Sequence, residues 1–506
     1  MSQNARTLPA ADGPAPAAIN ILSVPRLADT WLPGRQSLVS ARVLSGAVRL
    51  LDAALAIAAG LLTGLLYVSA PILTRDWDYA IVLAFAGVLT VGVLQALGLY
   101  RSDKFASPIA QLPRIAAGWT LTLGLVAVSL VLFKMAAEFS RVWLAMWLLT
   151  GGVALMAGRL AVAHTVRALA QDGRLYRRAV IYGAGPVSED VIRQLERDAG
   201  LDIRISGIFD DRSDAQRAPR LIAGYPRLGG IEDLIQLGRD SRIDLVIVAL
   251  PIAGEARLSH IITRLSVLPV DIKLPARATA IRFSPKTYSH VGSVAMIDLY
   301  DKPITDWGVV SKWLFDKAFA LAALVALAPV MAAVALAVRL DSRGPIFFRQ
   351  KRYGFNNEMI EVLKFRSMYV DRCDAAAAKL VTKDDPRVTP VGRFIRKTSL
   401  DELPQLLNVL TGQLSLVGPR PHAVAAKAED RLYQDVVDGY FARHKVKPGI
   451  TGWAQIHGWR GETDTREKIE KRVEHDLYYI ENWSVLLDLY ILFRTPLSLL
   501  KTENAY

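Results

Sequence analysis

Asp401 and Glu402 are adjacent carboxylates close to the start of a predicted helix. Pro404 lacks a backbone N–H and is best placed in the first helical turn, which puts the helix cap near Asp401. The helix dipole stabilises a carboxylate anion there, and the free N–H groups can hold a phosphate. An ionised carboxylate can attack phosphorus in line, and Glu402 can hold Mg²⁺. Taken alone, these residues favour helix capping, because Ser399 and Glu402 also fit a capping box.

Five cations in the same part of the chain are candidate ligands for a substrate phosphate, namely Lys364, Arg366, Arg393, Arg396 and Arg420. The planar guanidinium group of arginine suits phosphate oxygens. Arg396 ranks first because it lies on the same short segment as Asp401, and Arg420 follows because prolines on both sides stiffen its loop. The alternative is a solvated basic face, or one that contacts lipid headgroups.

A glycine-rich loop over 447–462 follows and contains two tryptophans. Lys447 and Gly449 stand at its start, and glycine allows another backbone or a ligand to approach closely. Trp453 or Trp459 can stack on a uracil or on a sugar. A belt of tryptophans at the membrane interface explains either ring equally well. The histidines of this region lack zinc spacing, and a single cysteine cannot complete a zinc site.

Five sequence blocks occur in order along the C-terminal part of the chain: Gly344–Gly354, Lys364–Met368, Gly392–Leu406, Ser415–Pro421 and Lys447–Trp453. Over about 308–506 this arrangement resembles the bacterial sugar transferases, which are the monotopic phosphoglycosyl transferases, and the full layout resembles their large membrane-anchored members. The stretch 458–465 and the end 501–506 are similar to the undecaprenyl-phosphate glucose phosphotransferases. With five matching blocks, the catalytic interpretation of Asp401 and Glu402 is favoured over capping.

The resemblance implies a reaction. Glucose 1-phosphate passes from UDP-glucose to undecaprenyl phosphate, which releases UMP and gives undecaprenyl-diphosphate-glucose, the first membrane step of exopolysaccharide biosynthesis. It implies that Asp401 carries a covalent phosphosugar beside Glu402, with Mg²⁺ as the cofactor. The block 475–479 also resembles the family and adds Asp476 to Glu402 as a candidate metal ligand. The choice of glucose as the sugar rests on the resemblance alone, so UDP-galactose or another UDP-sugar remains an alternative donor.

The apolar segment 318–338 must place this chemistry at the membrane. Its 21 uncharged residues are long enough to span a bilayer. Basic residues flank both ends, however, which opposes a simple crossing under the positive-inside rule. Pro329 interrupts the helical hydrogen-bond ladder and favours a kink. These features predict a re-entrant membrane helix over 313–340 that turns at Pro329, with an ordinary kinked span as the alternative. Residues 483–500 are predicted to form an interfacial helix.

Four earlier apolar stretches are each long enough to cross a bilayer, near 50–73, 79–99, 115–133 and 142–163. We expect 1–42 to be a flexible cytoplasmic tail and 43–165 to be a four-helix transmembrane bundle. Basic residues concentrate before the first stretch, in the second loop and after the fourth, which predicts that both ends of the bundle are cytoplasmic. Asp52 is expected at the start of the first span and no ionisable residue in mid-span, which favours an anchor over a transporter.

The segment 175–300 alternates short apolar strands with helical stretches, which predicts a Rossmann-like cytoplasmic domain with a parallel sheet. Gly183-Ala184-Gly185 follows the first strand and could bind a nucleotide, with Asp210 or Asp211 on a ribose. Ser188 stands where the third fingerprint glycine would be. A plain strand-to-helix turn is therefore the favoured interpretation.

The whole chain is predicted to be a membrane α plus α/β protein with three parts, namely the four-helix bundle, the Rossmann-like domain and a monotopic phosphoglycosyl transferase domain over 308–506. We expect it in the bacterial inner membrane, with the catalytic domain on the cytoplasmic face and membrane lipid as a partner. A homodimer is left open. With 506 residues, of which 52% are hydrophobic, wholesale disorder is excluded. Cys373 is the single cysteine, so a disulfide-stapled fold is excluded as well.

Other classes of function are disfavoured by what the sequence lacks. Lys plus Arg exceed Asp plus Glu by 61 − 48 = 13, which attracts anions, but no recognisable nucleic-acid-binding module is present. A Rossmann oxidoreductase or epimerase would need an intact glycine fingerprint and a Tyr-x-x-x-Lys couple, and 175–300 shows neither. A non-enzymatic membrane scaffold or transporter is the remaining alternative, and it predicts no metal-dependent turnover.

Overall fold

The computed structural model describes the following residues: 40–67, 77–100, 105, 108–171, 175–197, 203–212, 219–250, 255–276, 289–370, 385–422, 427–428, 431–432, 440–459 and 465–500. The expected tail lies outside these ranges almost entirely. The described chain divides into two compact units, one built mainly from residues 37–176 and one built mainly from the chain beyond them.

The first unit is a bundle of four helices, α1 Ala41–Tyr67, α2 Trp77–Ala96, α3 Leu112–Leu132 and α4 Arg141–Gln171. All four are long and apolar enough to cross a membrane. Trp143 and Trp147 fill the core and donate their indole N–H groups to the carbonyls of Gly60 and Ala56, at 3.0 and 2.8 Å. A side chain at Gly60 would overlap Trp147 and Leu83, so this glycine allows the helices to pack closely.

A buried ion pair in the bundle corrects one expectation from the sequence. Asp52 and Arg159 lie inside α1 and α4, are 1% and 2% exposed, and approach to 2.7 Å. The Arg159 guanidinium also lies 5.1 Å from the centre of the Tyr100 ring. The sequence placed Asp52 at the start of the first span, whereas the structure places it near the middle of α1, buried against Arg159. Hydropathy alone cannot reveal that a charge on one helix meets its opposite on another.

The second unit begins with a Rossmann-like domain around an eight-stranded sheet, in the order β3-β4-β2-β1-β5-β6-β8-β7. The strands are β1 Arg177–Tyr182, β2 Ile203–Phe209, β3 Leu221–Ile222, β4 Tyr225–Gly229, β5 Leu245–Val248, β6 Asp271–Pro275, β7 Ser289–Val291 and β8 Val294–Tyr300. The helices are α5 Pro186–Arg197, α6 Ile231–Asp240 and α7 Glu255–Leu265. β1 pairs in parallel with β2 and β5, as the alternation of strands and helices predicted, whereas β7 and β8 add an antiparallel edge.

The glycine turn after β1 has its backbone donors already engaged. The N–H of Gly183 donates to the Phe209 carbonyl, that of Ala184 to Asp210 Oδ2 at 2.6 Å, and that of Gly185 to Ser188 Oγ. Arg212 pairs with the same Asp210 carboxylate at 2.6 Å. A diphosphate would need these N–H groups free. This arrangement agrees with the interpretation as a plain turn.

The C-terminal domain packs around a core that includes Phe315, Val362, Leu406 and Ile491. Its helices are α8 Asp306–Asp341, α9 Pro390–Lys397, α10 Gln405–Thr411, α11 Trp453–Ile456, α12 Arg466–Glu481 and α13 Val485–Leu500. Its strands are β9 Phe347–Tyr353, β10 Met359–Phe365, β11 Ser415–Val417, β12 Lys427–Ala428, β13 Arg431–Leu432 and β14 Gly449–Thr451. β9 and β10 form an antiparallel hairpin, and β11 pairs in parallel with β14.

The long helix α8 has 36 residues and includes Pro329. It is the fifth helix of the described chain that is long and apolar enough to cross a membrane. Its two ends contact the same domain. Near the start, Lys317 donates to the Val409 carbonyl at 2.8 Å, and near the end the Val338 carbonyl accepts from Arg366 at 3.3 Å.

Candidate active site

Asp401 and Glu402 lie on a short 3₁₀ turn, Leu400–Glu402, between α9 and α10. Ser399 precedes the turn with a φ of 59°, a left-handed conformation that reverses the chain between the two helices. Pro404 is the N-cap of α10 rather than part of its first turn. Ser399 makes no side-chain cap bond to the 3₁₀ turn. The capping box is therefore absent, and capping does not explain Glu402.

Both carboxylate oxygens of Glu402 accept hydrogen bonds from cations. Lys364 Nζ lies 2.9 Å from Oε1, and the two Arg420 Nη atoms lie 2.5 and 3.2 Å from Oε1 and Oε2. Burial would raise the pKa of Glu402, but the charges of Arg420 and Lys364 outweigh it and hold the pKa well below its usual range. Glu402 is therefore an anion that fixes both cations.

Asp401 has a different environment although it is the next residue in the chain. It is 9% exposed, and its Oδ2 lies 3.9 Å from Lys364 Nζ, beyond hydrogen-bond distance. Burial, aided by the charge of Glu402, raises the pKa of Asp401, although Lys364 and Arg396 act in the opposite direction. The pair thus combines a tightly held anion with a carboxylate whose oxygens are available to a reactant.

The five predicted phosphate ligands divide into two groups. Lys364, Arg396 and Arg420 all act electrostatically on Asp401 and lie at one site. Arg366 is 3% exposed and donates to the carbonyls of residues 338, 342 and 343, so it caps the end of α8 instead. Arg393 lies on the exposed face of α9. The strand β10 and the segment after β11 therefore supply Lys364 and Arg420 to the carboxylates.

Comparison with known proteins identifies the domain that holds this site. A family model described as bacterial sugar transferase matches residues 307–502, and one described as CoA-binding domain matches 95–276. A UDP-glucose:undecaprenyl-phosphate glucose-1-phosphate transferase from Escherichia coli strain K12 is 35% identical over 83% of this chain and 89% of its own length. The chain belongs to the bacterial sugar transferase family.

Two further relatives show how far the likeness extends. The enzyme of the same name from Xanthomonas campestris pv. campestris is 33% identical over 85% of this chain and 88% of its own length. A UDP-N-acetylgalactosamine-undecaprenyl-phosphate N-acetylgalactosaminephosphotransferase from Aeromonas hydrophila is 45% identical over 35% of this chain and 41% of its own length. Relatives named for different sugars are therefore similar to this chain, and the resemblance seen in the sequence is confirmed.

Residues predicted to form a nucleotide or sugar loop make packing contacts within the sugar transferase domain. Gly449 and Gly418 bring β14 and the segment before Arg420 into contact, because a Cβ on Gly449 would lie 2.1 Å from the Gly418 nitrogen. Trp453 stacks on Tyr478 at a ring separation of 5.3 Å, and Trp459 is partly buried near His475.

Lys447 lies apart from the carboxylates of the sugar transferase. Burial lowers its pKa, and the charges that act on it are chiefly those of Asp316 and Lys317 on α8, with a smaller effect of Glu358. Lys317 donates to carbonyls at the C-terminal end of α10, whereas Asp401 precedes the N-terminal end. The structure therefore does not bring Lys447 to the site.

Asp476 is paired with Arg443, whose Nη2 lies 2.5 Å from its Oδ2, and both side chains are about 1% exposed. This contact neutralises the carboxylate, so Asp476 is a poor metal ligand in this arrangement. Arg443 also donates to the Arg420 carbonyl at 3.0 Å. Asp476 therefore contacts the arginine that is bonded to the Arg420 backbone, whereas the sequence suggested a metal ligand beside Glu402.

Two contacts of Arg420 and its neighbour escaped the sequence analysis. Gln455 Oε1 accepts from Arg420 Nη1 at 3.1 Å, and Arg352 donates to the carbonyl of Pro421. Gln455 follows the last matching block by two residues, and Arg352 lies inside the first block. Their position in or near the matching sequence blocks could have pointed to these residues. The blocks alone, however, do not distinguish these side chains from their neighbours.

A magnesium ion fits the carboxylate pair in part. Mg²⁺ is commonly held by one or two carboxylates together with substrate phosphates. Asp401 has oxygens available, whereas Glu402 Oε1 already accepts from both Lys364 and Arg420, so Oε2, which accepts one bond from Arg420, is the Glu402 oxygen that keeps a lone pair. Among the residues that the structure describes, no three His, Cys, Asp or Glu side chains gather into a complete protein site. A metal here would need oxygens from the substrate.

Proposed function

We propose that this protein transfers glucose 1-phosphate from UDP-glucose to undecaprenyl phosphate, which releases UMP and yields undecaprenyl-diphosphate-glucose. The observation that carries the proposal is the buried pair Asp401–Glu402 with Lys364 and Arg420 fixed beside it. Relatives aligned over most of the chain bear the name of this reaction. The product would begin the assembly of an exopolysaccharide at the membrane.

Asp401 is proposed as the nucleophile. One of its carboxylate oxygens attacks the phosphorus that bears the sugar, the bond from that phosphorus to the bridging oxygen breaks, and UMP departs with the electron pair. An oxygen of undecaprenyl phosphate then attacks the same phosphorus and displaces the Asp401 carboxylate. Lys364, Arg396 and Arg420 stabilise the negative charge on the phosphoryl oxygens during both steps.

Glu402 is proposed to position Lys364 and Arg420 rather than to take part in the covalent steps. Its two oxygens hold Lys364 and Arg420 where the phosphate oxygens arrive, which reduces the reorganisation needed during the reaction. Mg²⁺, held by Asp401 and Glu402 with the diphosphate, would supply further neutralisation of phosphate charge.

We also propose that α8 is a re-entrant helix that turns at Pro329. A straight helix would hold Asp316 and Val338 about 33 Å apart at 1.5 Å per residue. Yet Asp316 accepts from Ser415 in the core, while Val338 accepts from Arg366, which directly follows β10, and β10 is bonded directly to α10 through Asn408. Exposed apolar side chains surround Pro329, among them Val325 and Val330.

The proposed location is the inner membrane, with the sugar transferase domain on the cytoplasmic face. There UDP-sugars are available and the phosphate of undecaprenyl phosphate lies at headgroup depth. Helix α13 presents Leu486, Phe493 and Leu497 to the surface, which suits a helix at the interface. The basic residues around the bundle favour the same orientation.

The test is release of UMP from UDP-glucose by membranes that contain the protein, with undecaprenyl phosphate and with Mg²⁺ or EDTA. We expect UMP only when lipid and metal are both present. Asp401→Asn should reduce turnover at least a thousandfold and leave the protein folded, because the two side chains are nearly the same size. Substantial activity in that variant would remove Asp401 as the nucleophile.

A panel of UDP-sugars decides between glucose, galactose and other sugars. If a folded protein releases UMP from none of them, the transferase proposal fails and a scaffold or transporter role takes its place. Arg393→Gln serves as a control for lost surface charge, because its side chain is exposed on α9.

A further inference from the structure

Four arginines lie close together beneath the Asp401–Glu402 pair, namely Arg352, Arg420, Arg443 and Arg472. Two of them have a carboxylate partner. Arg420 pairs with Glu402 and Arg443 with Asp476, each at 2.5 Å. Among the described residues, Arg352 and Arg472 have no carboxylate in ion-pair contact. The cluster therefore holds more buried positive charge than the carboxylates of the described residues neutralise by direct contact.

Arg352 has neutral partners alone. Its Nη2 lies 2.6 Å from Gln350 Oε1, and its Nη1 donates to the carbonyl of Pro421. Because Pro421 follows Arg420 in the chain, this bond places Arg352 directly beside the reaction centre.

Arg472 is more isolated still. It is 5% exposed on the inner face of α12, and its Nε is buried without a hydrogen-bond partner. The described chain provides no hydrogen bond to any of its guanidinium nitrogens. His422 does not change the charge balance, because burial and Arg443 hold its pKa well below the usual range and keep the ring neutral.

The two unmatched arginines and Arg420 share one electrostatic environment. Burial, with the charge of Arg420 next, lowers the pKa of Arg352 to about 10, and Arg472 contributes as well. Burial also lowers the pKa of Arg472 to about 10, with Arg443 and Arg420 acting in the same direction and the Asp476 carboxylate in the opposite one. Both groups remain cations at neutral pH. Unpaired buried charge is costly, so such an arrangement persists where an anion completes it.

We propose that Arg352 and Arg472 form a second phosphate-binding subsite beside Glu402 and Arg420. Two guanidinium forks suit the oxygens of a phosphate ester. The proposal rests on the transfer reaction proposed above, in which one phosphate reacts at Asp401 and another must lie within bonding distance of it. That second phosphate is either the one that leaves in UMP or the one carried by undecaprenyl phosphate.

Steady-state kinetics of Arg472→Gln in the full-length protein tests the subsite and identifies its occupant. We expect a rise of about 10- to 100-fold in one substrate's KM, which corresponds to the loss of a charge-assisted hydrogen bond. If the nucleotide phosphate binds there, the KM for UDP-glucose and the inhibition constant of UMP rise together. If the lipid phosphate binds there, the KM for undecaprenyl phosphate rises and inhibition by UMP stays the same.

Thermal stability provides a second readout that a purely structural arginine would not give. Without ligand, Arg472→Gln should melt at a higher temperature than the parent protein, because an unmatched buried charge is removed. Inorganic pyrophosphate should raise the melting temperature of the parent protein and raise that of the variant less. The proposal would be overturned if Arg472→Gln melts at a lower temperature than the parent protein and leaves both KM values and the inhibition constant of UMP unchanged.

Matched variants complete the design. Arg472→Lys keeps the charge and should recover part of the lost affinity, whereas Arg466→Gln, on the same helix but exposed and paired with Glu470, should change neither KM nor melting temperature. If the parent protein releases no UMP, the transferase proposal fails. The pyrophosphate experiment then still decides whether the subsite exists.

Discussion

Gly449 lies where two backbone segments meet beneath Arg420. Its N–H donates to the Pro419 carbonyl at 2.9 Å, and the Gly418 N–H donates to the Thr451 carbonyl at the same distance. We expect Gly449→Ala to lower kcat/KM at least tenfold and to destabilise the domain by about 1–3 kcal/mol, because its Cβ would overlap backbone atoms that cannot move independently. Activity measurements and thermal melting check both effects.

Gly124→Ala is the matched control, because a Cβ there meets no atom within 4 Å. Gly124→Ala should change neither kcat/KM nor the stability of the domain. Normal activity in Gly449→Ala would show that the position of Arg420 does not depend on the close contact between β14 and the segment at Gly418.

The sequence blocks located Asp401, Glu402, Lys364 and Arg420, and the structure places these four residues together. The same reasoning also selected Arg366, whose side chain turns toward the end of α8. Spacing along the chain cannot show which way a side chain just after a strand points once the domain has packed. Arg472 was missed for the same reason, since its surroundings come from segments far apart in sequence.

Pro329 decides the path of α8 if the helix is re-entrant. We expect Pro329→Leu to favour a straight helix, because leucine restores the missing N–H and removes the steric clash with the preceding turn. A straight 36-residue helix is about 54 Å long and can cross the bilayer. The two flanks would then face opposite sides of the membrane, and transferase activity would be lost.

Cysteine labelling measures this change in topology. Thr305→Cys and Arg343→Cys, made separately in a Cys373→Ser background, report one flank each, and both residues are exposed. Both should label from the cytoplasmic side in the parent and in the control Ala328→Leu. If both flanks still label from that side in Pro329→Leu, the proline is not the sole cause of the turn.

Helix boundaries were harder to predict than helix existence. The first apolar stretch suggested a span near 50–73, whereas α1 begins at Ala41. Hydropathy marks the part of a helix that suits hydrocarbon, but the hydrogen-bonded helix continues into its more polar flank. In the Rossmann-like domain, by contrast, apolar runs bounded by turns located β1, β2, β5 and β6 closely.

The Rossmann-like domain contacts the sugar transferase domain through specific polar contacts. Asn356 Nδ2 donates to the Gly238 carbonyl at 2.7 Å, the Arg239 guanidinium lies 5.1 Å from the Phe441 ring centre, and Lys445 Nζ donates to Tyr300 Oη at 2.7 Å. The 3₁₀ segment Tyr440–Lys445 takes part in two of these contacts, and it also carries the arginine that supports Arg420.

Removal of one such contact should therefore affect the distant site. Asn356 has a φ of 52°, a conformation that glycine also adopts, so Asn356→Gly removes the amide and leaves the backbone unstrained. We expect a loss of about 1–3 kcal/mol in stability and a several-fold lower kcat with little change in KM. If Asn356→Gly has the same stability and the same kcat as the parent protein, the contact does not support the catalytic domain.

The order of the domains could be predicted from the composition and the sequence blocks. The contact between the Rossmann-like domain and the sugar transferase domain could not. It depends on a left-handed asparagine and on the end of α6, and neither is marked by hydropathy or by a recognisable motif. Such a contact forms only after both domains have folded.

The ion pair between Lys312 and Asp488 has a consequence for the order of synthesis. It joins α8 to α13 at 2.7 Å across 176 residues of chain, and Asp488 is fully buried. At roughly 5–20 residues per second, a ribosome adds Lys312 to the chain about 9–35 s before it adds Asp488. During that interval the carboxylate available to Lys312 within α8 is that of Asp316, at 3.3 Å. The contact that joins the start of α8 to α13 therefore forms only after residue 488 has been added to the chain.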